Sequence, residues 1–280
     1  MAVDSPSRVR TVLDELGIRP EKRLGQNFLC DGNWIRKAVE ALPPEAPGVE
    51  VGPGIGALTT VTLDKGHEVW AVEIDPRLCR YLERTFTGQH FHLLEGDAVS
   101  FPVAHFPAKN GEYTLLSNLP FAITSPWIDK LLSPANPLPK TLALILQKEG
   151  MDRTLASPAS KAYGPTAIRM ALSYDLQSCD AVPRSSFFPQ PTIESRFGVW
   201  IRQNDPRLLD AEDVALLRRF FGQRRKMIRQ GMKQWLTEEV LQHWVELLAE
   251  QGMDSTARAE SISPELWWNL LKASSPKSSR

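Results

Sequence analysis

Glu50-Val51-Gly52-Pro53-Gly54-Ile55-Gly56 sets three glycines at alternate positions between a short β-rich run and a helical one. Glycine there permits positive φ and lets the backbone approach a ligand that a side chain would block. Seventeen residues after Gly56 a second apolar run ends at Glu73, where a carboxylate can accept hydrogen bonds from two ribose hydroxyls. Gly96-Asp97-Ala98 follows a third run and adds a carboxylate suited to an exocyclic amine. Together these groups describe a nucleoside site. A dinucleotide site expects G-x-G-x-x-G with a pyrophosphate at the helix N-terminus; here the spacing is G-x-G-x-G, with an acid ahead of it at Glu50.

That form resembles motif I of the S-adenosylmethionine-dependent methyltransferases, whose cofactor has no phosphate to cradle. Asn118-Leu119-Pro120-Phe121 then follows a fourth β-rich run, at the sheet edge where α/β folds bind ligands. Its chemistry fits a methyl acceptor. The amino nitrogen of adenine is a poor nucleophile because its lone pair is delocalised into the ring. An Asn side-chain oxygen and a neighbouring backbone carbonyl can accept its two hydrogens, shift electron density to nitrogen and aim it at a sulfonium methyl. Pro120 fixes the turn, and Phe121 offers a face for the base to stack on. No general base is required, because the nitrogen becomes acidic once methylated. Catalysis is then positioning and electrostatics.

Positioning these groups takes alternating strands and helices. Val49–Val51, His67–Ile74, His90–Leu94, Tyr113–Leu116, Thr141–Leu146 and Phe197–Ile201 read as strands. Between them Ala57–Lys65, closed by Gly66, a segment opened by Asp75-Pro76, and one opened by Ser125-Pro126 read as helices. The alternation predicts a parallel, doubly wound α/β sheet of Rossmann-like form. Asn204-Asp205-Pro206 is a linker signal, and from Asp210 onward the pattern is helical, which predicts a small C-terminal helical domain. The 280 residues are 42% hydrophobic and 24% charged, enough for a buried core. No apolar run approaches a membrane span. The first residues carry an early acid and no apolar stretch, so no secretory signal is expected, and three scattered cysteines exclude a disulfide scaffold or a zinc finger and fit a reducing cytoplasm.

The ordered motifs resemble the KsgA/RsmA-type small-subunit ribosomal RNA adenine dimethyltransferases. Lys22-Arg23-Leu24-Gly25-Gln26-Asn27-Phe28-Leu29 is similar to that family's N-terminal signature, and the Glu50–Gly56 loop, Glu73, Asp97 and Asn118 follow in its order. Leu146-Gln147-Lys148-Glu149 and Ser160-Lys161-Ala162-Tyr163-Gly164 resemble the segments that come next. Phe188-Pro189-Gln190-Pro191-Thr192-Ile193-Glu194-Ser195 resembles the F-x-P-x-P-x-V-D-S motif, whose aromatic helps sandwich the target base. Phe221-Gly222-Gln223-Arg224-Arg225-Lys226 and Arg258-Ala259-Glu260-Ser261 match two signatures of the helical domain. Phe121 stands where the family usually has Tyr; Ile193, Glu194 and Gly150-Met151 also depart from it.

The resemblance implies an S-adenosylmethionine-binding domain over residues 1–203 and a helical rRNA-binding domain over 204–280. It implies that Gln26, Asn27, Leu29, Gly52, Gly54, Glu73, Ile74, Asp97, Ala98 and Asn118 line the cofactor site. Asn118, Leu119, Pro120, Phe121 and Phe188 would hold the target adenine. The reaction implied is N6,N6-dimethylation of two adjacent adenines near the 3′ end of 16S rRNA, on a pre-ribosomal particle, by a cytoplasmic monomer that needs no metal. Net charge is zero, with 33 basic and 33 acidic residues, so RNA contact must rest on a local patch. Arg218, Arg219, Arg224, Arg225, Lys226, Arg229 and Lys233 form a run without an acid, which reads as a phosphate-tracking surface. Lys22 and Arg23 can add to it. A 23S rRNA dimethylase of the macrolide-resistance type, or an assembly factor whose RNA binding outweighs its catalysis, are the alternatives; a nicotinamide dehydrogenase shares the fold but has no use for Asn118.

Overall fold

The computed structural model describes residues 4–20, 26–44, 46–107, 111–254 and 256–274, without the side chain of Phe121. Its strands are β1 (Phe28–Leu29), β2 (Gly48–Val51), β3 (Val69–Glu73), β4 (Phe91–Glu95), β5 (Thr114–Asn118), β6 (Thr141–Gln147), β7 (Tyr174–Val182), β8 (Phe187–Phe188) and β9 (Ser195–Arg202). The helices are α1 (Pro6–Glu15), α2 (Gly32–Val39), α3 (Ala57–Asp64), α4 (Pro76–Thr85), α5 (Thr124–Leu131), α6 (Lys148–Thr154), α7 (Pro165–Ser173), α8 (Ala211–Gly222), α9 (Ile228–Trp235), α10 (Glu238–Glu250) and α11 (Pro264–Ser274).

Seven strands form one sheet in the order β4-β3-β2-β5-β6-β9-β7. The β2·β3, β3·β4, β2·β5 and β5·β6 pairs are parallel, and β9 runs antiparallel to β6. The sheet is thus parallel and doubly wound, as the alternation predicts, except on one side, where β9 returns antiparallel to β6 without a crossover helix. From β2 the chain steps outward through β3 to β4 and then jumps back to β5. The carboxyl ends of β2 and β5 thus sit at the topological switch point, where an open α/β sheet leaves a crevice.

Helix starts follow the capping residues. Asp75 caps α4 by accepting from the Arg77 amide at 2.9 Å, with Pro76 in the first turn. Asp31 caps α2 in the same way, through the Asn33 amide. The helix expected from Ser125-Pro126 begins one residue earlier, at Thr124. α3 opens at Gly56 with φ +79°, where an added Cβ would lie 2.9 Å from the Phe86 ring. Glycine is required there by backbone conformation and by packing together.

Contacts divide the chain into two compact units. The first holds residues 1–131, 135–151 and 175–202, and the second holds 132–134, 152–174 and 203–280. The first unit packs one sheet face on α2 and α3 through Leu29, Ile35, Ala38, Val39, Leu116, Ile145 and Phe197. The second unit is helical and includes α7, which precedes the linker at Asn204 and which sequence alone left with the sheet. Its core joins Tyr163 and Ile168 to Phe220, Trp244 and Trp267, with Phe220 stacked on Trp244 at 5.3 Å between centroids. Trp244 and Trp267 are thus packing residues of this unit.

Candidate active site

A cleft opens at the switch point, inside the first unit. Its floor is the β2–α3 loop, whose Gly52 and Gly54 have φ of +66° and +59°. Glu73 from the end of β3, Ile74 after it, and Gly96, Asp97 and Ala98 after β4 form one wall. Gln26, Asn27, Phe28 and Leu29 from the N-terminal segment and Asn118, Pro120, Ala122 and Ile123 from β5 and the turn after it close the other. Ten residues expected to line a cofactor site therefore meet in one cleft.

The carboxylates in the cleft differ in environment. Glu73 is buried, yet Oε1 accepts from the Ile74 and Asp75 amides (2.8 and 3.0 Å) and Oε2 from the Gly54 amide (3.1 Å). Burial raises its pKa and these hydrogen bonds oppose the rise. The bonds also fix the orientation of both oxygens toward the cleft loop. Glu50, only 2% exposed, accepts the Thr59 hydroxyl at 2.6 Å. Burial, and secondarily the charge of Glu73, pushes its pKa up to about 7, against the Thr59 hydrogen bond. A buried acid with a raised pKa that lines a ligand cleft is a candidate functional group. Ile74, by contrast, leaves 57% of its surface exposed at the cleft, an apolar surface that a planar base can cover. Glu50 was visible in the motif but was not assigned a site role from sequence; its total burial supplies that signal.

Asn118 stands where this cleft meets a small second cavity, because it and Asn27 line both. The Asn118 Nδ2 donates to the Asn27 carbonyl at 2.7 Å. With the amide nitrogen so engaged, Oδ1 is the atom left to accept from a ligand. Leu119 is buried and lines the small cavity rather than the cleft, with its amide donating to the Ile145 carbonyl at 3.1 Å. Phe121 lies in the short 3-10 turn after Pro120, and its ring is outside the described residues.

The family described as "Ribosomal RNA adenine dimethylase" matches residues 18–274. The chain is 39% identical over 269 residues to the "Ribosomal RNA small subunit methyltransferase A" of Opitutus terrae, covering 94% of this chain and 96% of that protein. It is 35% identical to the protein of the same name from Thermosynechococcus vestitus, covering 90% and 96%. The chain belongs to the ribosomal RNA adenine dimethylase family. Among solved structures it is similar to a dimethyladenosine transferase from Plasmodium falciparum, with TM-score 0.69, 24% identity, and coverage of 85% and 93%. It is also similar to the 23S rRNA methyltransferase ErmE, with TM-score 0.64, 24% identity, and coverage of 89% and 99%. The dimethylase is thus an S-adenosylmethionine-dependent enzyme that methylates adenine in rRNA.

One sequence assignment in this dimethylase needs correction. Phe188 does not face the small cavity; Phe187 does. β1 and β8 pair antiparallel, Phe28 against Phe188 and Leu29 against Phe187, and successive strand residues point to opposite sides. Phe188 is turned to a cluster with Val9, Leu13 and Leu78, under the Arg10 guanidinium at 5.2 Å from its ring. Counting the F-x-P-x-P-x-V-D-S pattern back from Ser195 also puts its aromatic on Phe187.

Arg224 is engaged within its own unit. Its guanidinium donates to Glu260 at 3.2 Å and to the carbonyls of Lys161 at 3.0 Å and Ser160 at 3.4 Å. That side chain ties two loops of the helical unit together and is spent on the protein itself. The continuous helix that would align Arg218, Arg225 and Arg229 is interrupted between α8 and α9. Arg218, Arg219, Arg225, Lys226, Arg229 and Lys233 are exposed. Lys22 and Arg23 lie outside the described residues. Among the described residues no group of His, Cys, Asp or Glu is arranged to hold a metal ion, and no helix is long and apolar enough to cross a membrane.

Proposed function

We propose that this dimethylase converts two adjacent adenines near the 3′ end of 16S rRNA to N6,N6-dimethyladenosine, on a pre-ribosomal small subunit. The Opitutus terrae and Thermosynechococcus vestitus relatives, both named for the small subunit, support the choice of substrate over the large-subunit alternative. The observation that carries the chemistry is Asn118, its amide nitrogen held by Asn27 so that its oxygen is presented where the cleft meets the small cavity.

The cleft fits S-adenosylmethionine. The cofactor's ammonium matches the buried Glu50 carboxylate, and its ribose hydroxyls match Glu73, whose oxygens the backbone has already oriented. Ile74 and Ala98 supply apolar surface for its adenine, and Asp97, which also accepts from the Val99 amide at 2.8 Å, an acceptor for the adenine amine. Gly52 and Gly54 leave the backbone bare beside it, with Gln26, Asn27 and Leu29 opposite. When bound, the cofactor supplies a methyl on a sulfonium, so the C–S electron pair stays with sulfur as the N–C bond forms and N6 loses its proton to water. The protein's part is to hold the target amine. Asn118 Oδ1 accepts one N6 hydrogen, the turn after Asn118 orients the base, and Phe187 flanks it. Preorganised acceptors at the point where positive charge develops on nitrogen lower the barrier without any proton relay.

Incubation of the protein and labelled cofactor with unmethylated small and large subunits in parallel tests the reading. Label released from small-subunit rRNA as N6,N6-dimethyladenosine is expected; label confined to the large subunit overturns the substrate assignment. Substrate affinity should rest on the exposed cations of α9 and the segment before it. Changing Arg225, Lys226 and Arg229 together to Gln lowers the slope of log affinity against log salt by about 2–3, because each phosphate contact contributes about 0.7–0.9. Filter binding across a salt series reads this; an unchanged slope removes these residues from the RNA surface. The Arg224→Gln change should instead lower the melting temperature.

A further inference from the structure

The second transfer poses a problem that the first does not. The acceptor now carries a methyl group on N6, which must be stored away from the incoming donor while nitrogen still faces the cleft. The small cavity beside Asn118 has the position and the size for this. Its free volume is about 20 Å³, and one water needs at least about 10–15 Å³ on the same measure. It shares Asn27 and Asn118 with the cofactor cleft, which puts it next to the position that Asn118 assigns to the acceptor amine.

Strand register explains how the cavity is built. Asn118 is opposite Ile145 across β5 and β6, Ile145 is opposite Phe197 across β6 and β9, and Gln147 is opposite Ser195. Opposed residues, and residues two apart along a strand, share a sheet face. Asn118, Gln147 and Ser195 therefore form a polar end to a row that continues into the apolar core as Ile145 and Phe197. Phe187 and Pro191 close the other side. Ser195 is 5% exposed, and neither its hydroxyl nor the Gln147 carboxamide makes a hydrogen bond among the described residues. Two unengaged polar groups beside a space of this size are a water site. A methyl group is about as large as that water, but it cannot replace the water's hydrogen bonds.

We propose that the cavity formed by Asn27, Asn118, Gln147, Phe187, Pro191 and Ser195 holds a water during the first transfer and receives the first methyl group during the second. Gln147 and Ser195 are then the residues that determine whether the reaction stops at one methyl. The proposal rests on the dimethylation assigned above. In the second round the N6 lone pair again forms the N–C bond, the C–S pair stays with sulfur, and the remaining N6 proton goes to water.

The test follows N6-methyladenosine and N6,N6-dimethyladenosine over time on unmethylated small subunits, with the full chain and labelled cofactor. Ser195→Thr adds one methyl to the cavity in a residue that strands accept well. It should leave the first transfer near the wild-type rate and slow the second at least about tenfold, the usual effect of one misplaced methyl in a fitted pocket, so that the monomethyl product accumulates. Ser195→Ala removes a water partner and should lower the transient monomethyl fraction below that of the wild type. Equilibrium cofactor binding and melting show whether each variant is folded. A wild-type product profile in Ser195→Thr overturns the proposal, as does an equal loss in both transfers, which would mean that the cavity serves the base itself. If Ser195→Thr does not fold, a monomethyl fraction in Ser195→Ala that matches or exceeds the wild type overturns it. Failure of the wild type to dimethylate small subunits would overturn the substrate reading instead.

Discussion

Asn118→Ala is expected to lower methyl transfer by about 10²–10³-fold, the usual loss when one preorganised group facing developing charge is removed. Cofactor binding should change much less, because Glu50, Glu73, Asp97 and the glycine loop remain. The variant loses the Oδ1 acceptor and also the Nδ2 bond that ties β5 to the Asn27 carbonyl. Asn118→Asp separates these two parts. It keeps two acceptor oxygens but places a carboxylate against the Asn27 carbonyl, where a donor is needed. If orientation by Asn27 matters, the aspartate variant is as inactive as the alanine one at neutral pH. Single-turnover transfer to unmethylated subunits, alongside equilibrium cofactor binding, reads both quantities. Retained turnover in Asn118→Ala would move the acceptor to another group; equal loss of binding and turnover would make Asn118 a cofactor ligand alone.

How far the site could be read from sequence follows from the physics of each part. The glycine loop was legible because positive φ restricts residue choice, and Gly52, Gly54 and Gly56 all adopt it. Glu73, Asp97 and Asn118 were legible because a parallel sheet delivers strand ends to one edge in a fixed order. Pairings between distant segments left no such trace. The Asn27–Asn118 bond spans 91 positions, and β1 and β8 are two residues each, too short to show alternation. Alternation therefore does not distinguish Phe187 from Phe188, and only the motif count back from Ser195 does: one step along a strand reverses the face. β7 escaped notice because it is an edge strand with Asp175, Gln177 and Asp180 along it, where exposure removes the apolar signal. Arg224 and Arg225 are adjacent and chemically alike, and only Glu260 and the 160–161 carbonyls distinguish them. A charge run in sequence shows how many cations there are, not which of them the protein uses for itself.

Glu50 links the cleft to pH. Burial raises its pKa from an ordinary 4.5 to about 7, so the ligand-free protein carries it largely protonated below neutrality. For a carboxyl raised on folding, the contribution to stability is fully present below about 4.5 and is lost as pH rises through about 7. The cationic cofactor favours the ionised form, so binding below neutrality must release the proton. Apparent affinity should therefore weaken by up to about tenfold per pH unit below about pH 7 and level off above it. Among the described residues no histidine lines the cleft to produce the same profile. Glu50→Gln should remove the pH dependence and weaken cofactor binding at about pH 8 by roughly 10–100-fold, the range for a lost hydrogen bond to a charged group. The same variant, freed from ionising a buried acid, should melt higher than the wild type without cofactor at alkaline pH. Calorimetric titration in buffers of different ionisation enthalpy counts the released proton directly. A flat affinity between about pH 6 and pH 8 in the wild type would show that Glu50 does not face the cofactor's charge. A matching pH slope in Glu50→Gln would assign the proton to another group.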